Sequence, residues 1–119
     1  MTRYSLDEVA KDTGVTVNDF AHRMVDYGVD AFWLSHEPWL VPEPFTPEAG
    51  EAWSKEDIDY WIDVLAHVCH EAYETPDVVR SAPHRQVVHK LADVSLDDPD
   101  VWATTWRAYV RKRSATPVA

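Results

Sequence analysis

From Ile58 onward, apolar residues return at helical intervals. Ile58, Trp61, Ile62, Leu65, Cys69 and Ala72 fall within about 100° of arc when each residue advances ~100° around an axis, which predicts a long helix with one buried stripe. Both ends of that helix are marked. Ser54 precedes Asp57 by three residues, a capping pair whose hydroxyl accepts from a free backbone N–H while the carboxylate reaches back to the start. Thr75-Pro76 ends the helix and opens a shorter one, with Thr75 as cap and Pro76 at the first helical position, where its missing N–H costs nothing. Pro83 stops the second helix. On the far side of the stripe, Asp63-His67, His67-Glu71 and His70-Glu74 read as i, i+4 charge pairs on a solvated face.

Earlier in the chain, Ser5 and Glu8 form another capping pair, opening a short helix that Gly14 closes in a left-handed turn. Thr16 caps a helix from Val17 to Tyr27, closed in the same way by Gly28. Two helices joined by Gly14-Val15-Thr16 match helix-turn-helix spacing. The second, however, offers Asn18, Asp19, His22, Arg23 and Asp26 at its polar positions, where acids outnumber the fixed cation and would repel phosphates.

Between residues 29 and 47 the pattern changes to aromatic and β-branched residues broken by prolines. This predicts two short strands, Ala31 to Ser35 and Trp39 to Val41, joined at His36-Glu37-Pro38, with Pro42 and Pro44 making the second an edge strand or taking it out of the sheet there. The aromatics Phe32, Trp33, Trp39 and Phe45 serve either ordinary packing or a surface that meets another protein. Val87 and Val88 suggest one more short strand. Asp97-Asp98-Pro99-Asp100 opens a final helix, with Trp102, Trp106, Tyr109 and Val110 on one face and Arg107, Arg111, Lys112 and Arg113 complementing its dipole near the end. That helix either folds back on the core or docks in a groove of a partner. The expected organisation is one domain over 1–113, comprising a helical hairpin (1–28), strands (29–47), helices (54–84) and the aromatic helix (97–113), with 114–119 as a tail.

Composition narrows the partners. The chain has 119 residues, 45% of them apolar and six of them Trp, enough for one core. Its 21 Asp and Glu against 11 Lys and Arg argue against nucleic acid and anionic membranes. A single cysteine, Cys69, excludes an internal disulfide framework and fits a reducing cytoplasm. No run of ~18 apolar residues could span a bilayer, and no secretory signal opens the chain.

No complete catalytic set emerges from the residues themselves, and no metal site is expected. His67, His70, Asp63, Glu71 and Glu74 lack further ligands nearby in sequence, Cys69 falls on the buried stripe, and the three glycines form no phosphate-binding loop. His36, Glu37 and His84 sit in turns without a local partner that would make any of them a base.

The ordered pieces Asp26-Tyr27-Gly28, Glu43-Pro44, Ser54-Lys55-Glu56 and Ala82-Pro83-His84 resemble the C-terminal domain of the glycine cleavage system P-protein, the pyridoxal-phosphate-dependent glycine dehydrogenase (decarboxylating). The resemblance covers about residues 12–93 and stops near Val94. It implies an α+β fold, a mainly helical small domain with a two- or three-stranded antiparallel sheet, like the small domain of fold-type I pyridoxal-phosphate enzymes. It also implies a role as the small subunit of a split enzyme acting on glycine or another amino acid, with the pyridoxal phosphate and its Schiff-base lysine on a large partner chain. Lys11, Lys55, Lys90 and Lys112 lie in none of the required context, so this chain alone is expected to bind no cofactor. By the same resemblance, Asp30, Glu43 and His84 border the shared active site. Phe32, Trp33, Trp39, Phe45, Trp102 and Trp106 are the expected partner interface. The alternative is a free-standing binding or regulatory module with a helix-turn-helix-like N-terminus.

Overall fold

A computed structural model describes residues 3–30, 32–35, 39–90 and 105–115, the side chain of Trp33 excepted. The elements run β1 (Tyr4–Ser5), α1 (Asp7–Thr13), α2 (Val17–Asp26), β2 (Phe32–Leu34), β3 (Pro44–Pro47), α3 (Lys55–Glu74), α4 (Pro76–Arg80) and α5 (Trp106–Ala115). The strands form one antiparallel sheet in the order β1-β3-β2, and the fold is the small, mainly helical α+β domain that the sequence implies.

Local chemistry sets most helix ends. Thr16 and Ser54 each make a full capping box, with Asp19 and Asp57 as the reciprocal acids. Gly14 (φ 73°) and Gly28 (φ 78°) take left-handed conformations that a side chain would disfavour. Two expected caps differ. At the start of α1, Ser5 accepts from the Asp7 N–H through its hydroxyl but donates to the Pro42 carbonyl, so it ties α1 to the chain before β3. Thr75 makes no side-chain cap on α4, because its hydroxyl turns back to the Glu71 carbonyl of α3.

The strand pattern needs correction in three places. The second strand lies at Pro44–Pro47, after the prolines, whereas Leu40 and Val41 are exposed. β3 can be central because its prolines occupy its first and last positions, leaving Phe45 and Thr46 as interior donors. Its register pairs Phe45 with Tyr4 and with Leu34. β1 escapes sequence reading because two residues carry no periodicity. Val87 and Val88 form no strand and are exposed, since no strand among the described residues offers them a ladder. The predicted helix start at Asp97 to Asp100, and Trp102, lie outside the described residues.

The core joins Phe20 and Met24 of α2, Val64, Val68 and Ala72 of α3, Val79 of α4, and Phe32 and Phe45 of the sheet. Phe32 and Phe45 stack with centroids 4.7 Å apart, and Trp61 closes the sheet against α3. The buried row of α3 is therefore Trp61, Val64, Val68 and Ala72. The row chosen from the sequence shares Trp61 and Ala72 with it, but its other members, Ile58, Ile62, Leu65 and Cys69, sit roughly 90° further round the helix. Ile58 and Ile62 are exposed, and Leu65 and Cys69 are only partly covered. The apolar arc of α3 is thus wider than the other described residues cover.

Candidate functional site

Two of the quoted motif pieces, Asp26-Tyr27-Gly28 and Ala82-Pro83-His84, far apart in sequence, meet at one clasp between α2, α3 and the segment after α4. Arg23 lies at its centre. Its Nε and Nη2 donate to the two carboxylate oxygens of Glu71 at 2.8 and 2.7 Å, and Nη1 donates to Asp26 at 3.0 Å. Nη2 also donates to the Tyr27 hydroxyl, which donates in turn to Glu71 Oε1 at 2.7 Å. Asp26 then takes the His84 N–H on both oxygens, at 2.8 and 2.9 Å, and the Arg85 N–H at 2.7 Å. In this way Asp26-Tyr27-Gly28 is bound to Ala82-Pro83-His84. His67 closes the outer side, with Nε2 3.0 Å from the Tyr27 hydroxyl.

Burial makes these contacts strong. The side chain of Asp26 is fully buried and that of Arg23 is 9% exposed. Fixed donors decide the electrostatics. The bidentate bond from Arg23 holds Glu71 below the usual carboxylate range, and Glu71 with Asp26 holds Arg23 firmly charged. Burial alone would raise Asp26, but the N–H groups of Arg85 and His84 and the guanidinium together bring it below its ordinary value. Burial and the adjoining Glu71 push the Tyr27 phenol up. The clasp is therefore an ion-paired tie at neutral pH.

These contacts correct two sequence readings. Glu71 keeps its expected i, i+4 contact with His67 at 3.4 Å, but it is part-buried rather than solvated and its main partner is Arg23. On α2, the polar residues Asp19, Arg23 and Asp26 are buried, leaving Asn18 and His22 outward, so α2 does not present a recognition helix's reading face. Residues 19, 23 and 26 do repeat at helical spacing beside the apolar stripe Val17, Phe20, Met24. That signal was available, but its partner Glu71 is 48 residues away.

The expected site residues are not joined to one another. Glu43, with φ 46°, accepts the Val17 N–H on its carboxylate at 2.6 Å and the Leu6 N–H on its carbonyl, so it caps α2 from the loop before β3. His84 directs Nε2–H to the Val78 carbonyl at 2.8 Å, beside Ser81 Oγ. Asp30 is exposed and lines a cleft of about 270 Å³ with Asp57, Tyr60, Trp53 and Trp61. Through Trp53 and Trp61 that cleft borders a second, apolar one of about 300 Å³ between the sheet and α3. Neither cleft is lined by a lysine. Lys11 pairs with Asp7, Lys55 with Asp59, and Lys90 with Asp19 and the Arg80 carbonyl. These three lysines are thus engaged in ion pairs outside both clefts. Burial raises the Cys69 thiol, which disfavours the thiolate. Among the described residues no group of three His, Cys, Asp or Glu is placed to hold a metal ion, and no helix is long and apolar enough to cross a membrane.

Of the expected interface aromatics, Phe32 and Phe45 lie in the core at 6% and 5% exposure. Trp39 is exposed beside Leu40 and Val41, and Trp106 is 76% exposed on α5.

Fold and clasp together define a small α+β domain whose dispersed motif pieces serve to hold its helices in register. No protein-family model and no solved structure matches the chain. Curated relatives do. A Thermococcus gammatolerans protein named "Probable glycine dehydrogenase (decarboxylating) subunit 2" is 37% identical over 109 residues, 92% of this chain and 21% of that protein. Proteins of the same name from Thermotoga maritima (35% over 87% of the chain) and Legionella pneumophila (40% over 76%) are also similar. The chain spans about a fifth of the length of these relatives. The chain is thus homologous to a domain-length part of the glycine dehydrogenase (decarboxylating) proteins, as the ordered motif pieces indicate. The similarity does not stop near Val94. With the Thermococcus gammatolerans protein, an alignment of 109 of this chain's 119 residues must extend at least to Tyr109.

Proposed function

We propose that this chain is the small subunit of a split pyridoxal-phosphate-dependent enzyme of the glycine dehydrogenase (decarboxylating) type. In this reading it completes an active site whose cofactor and Schiff-base lysine stand on a partner chain. The observation that carries it is the homology over nine-tenths of this chain to a fifth of proteins bearing that name. The placement of Lys11, Lys55 and Lys90 in ion pairs, outside both clefts, is in keeping with a cofactor held elsewhere. The substrate is an amino acid, glycine or a relative of it. Asp30 and His84 border the shared site, and Glu43 acts as a positioning residue by fixing the start of α2. Trp39, with Leu40 and Val41, supplies apolar surface for the large subunit.

The test is reconstitution with the large chain. Mixed with it and pyridoxal phosphate, this chain should enter a yellow complex with the absorbance of an aldimine, while alone it should give no borohydride-reducible adduct. Asp30→Ala and His84→Ala should lower kcat/KM of the complex by about tenfold with aldimine absorbance preserved. A defined lysine adduct on the isolated chain, or turnover by the large chain unchanged when this one is omitted, would overturn the reading.

A further inference from the structure

The apolar row of α3 that the other described residues leave uncovered forms one wall of a groove, and α5 has the chemistry to fill it. The groove between the sheet and α3 is lined by Tyr4, Phe45, Trp53, Ile58, Ile62 and Leu65, with Tyr4 and Ile62 each 52% exposed. Its rim and the adjoining cleft carry Glu48, Asp57 and Asp30, and no Lys or Arg lines either. Helix α5 has the opposite character. It buries none of its residues, and Trp106, Tyr109 and Val110 share one face, the two rings 5.4 Å apart. Arg107, Arg111, Lys112 and Arg113 place four of the chain's 11 basic residues, and none of its 21 acids, on this one helix.

We infer that α5 of a second copy seats in this groove, Trp106 and Tyr109 against Ile58 and Ile62 and its basic residues toward Glu48, Asp57 and Asp30. The exchange is reciprocal, each copy giving its helix to the other's groove, so two equal contacts close a twofold dimer. Helix-in-groove docking of this kind takes its affinity from the aromatic anchors and its orientation from the charges. The inference concerns this chain alone and does not rest on the proposed enzyme.

Sedimentation equilibrium of the full chain should give twice the 13.7 kDa monomer mass, with dissociation promoted by added salt. Ile62→Glu, Trp106→Ala and truncation after Thr105 should each weaken the dimer about 30-fold or more while the urea midpoint stays unchanged, since Ile62 and Trp106 are exposed and α5 buries none of its residues in the single chain. Should Ile62→Glu unfold the chain, Trp106→Ala and the truncation still decide. A Cys69→Ala background supplies the pairing test. Ile62→Cys on one chain and Val110→Cys on another, mixed and oxidised, should join as a disulfide dimer. A monomer at all concentrations, a dimer that survives truncation, or a crosslink formed only within one doubly substituted chain would each overturn the inference.

Discussion

Arg23 carries more of the fold than any hydrophobic neighbour suggests, because it neutralises two carboxylates that would otherwise be buried alone. Removing one partner of a buried pair leaves the other charge uncompensated, so Arg23→Met should destabilise the chain by about 3–5 kcal/mol, read from urea unfolding. Glu71→Gln in the same background should recover part of that loss. A pH series provides an independent check. Glu71 and Asp26 both have folded pKa values below their ordinary 4.5 and 3.8, so the unfolded chain takes up their protons first as pH falls. Their contribution is complete above that ordinary range and is lost as pH drops through the lowered folded values. The urea midpoint should hold steady down to about pH 5, then fall, and fall less in Arg23→Met. That Arg23 is polar was plain from the sequence. That it faces inward was not, because its direction depends on Glu71, on another helix.

At the level of elements, the helix ends divide into those fixed by neighbours in sequence and those fixed by neighbours in space. Thr16 and Ser54 cap as their local patterns predict, since both partners of each box lie within three residues. Gly14 and Gly28 separate the two influences. Both have positive φ, so alanine at either should cost about 1–2 kcal/mol for the left-handed conformation. A Cβ at Gly28 meets nothing within 4 Å, whereas at Gly14 it would lie 3.0 Å from Arg80 Nη1, which donates to the Thr13 carbonyl. Gly14→Ala should therefore be the more destabilising in thermal melts, and Gly14→Ala with Arg80→Ala should show coupling between the two. The strands carried less information. Two to four residues each give too short a run for alternation, and their pairing depends on where β3 meets Tyr4 and Leu34.

In the whole molecule, aromatic residues that look alike in sequence serve different ends. Phe45→Ala should cost about 3–5 kcal/mol of stability, because it empties the stack between Phe32 and Tyr4. Trp39→Ala should leave stability within about 0.5 kcal/mol. In the reconstituted complex it should weaken association about 30-fold, measured by titration of labelled large chain. The helices α1 to α4, the caps of α2 and α3, the acidic balance and the family resemblance were legible in the sequence alone, because each depends on residue types and short spacings. Tertiary structure decided which face of α3 is buried, which strands pair, and that Asp26, Arg23 and Glu71 form one clasp with the backbone of His84 and Arg85. The physical reason is the same in each case. A helix with an apolar arc wider than its partners can cover, or a polar residue beside such an arc, has more than one acceptable orientation until distant neighbours exclude water from one of them.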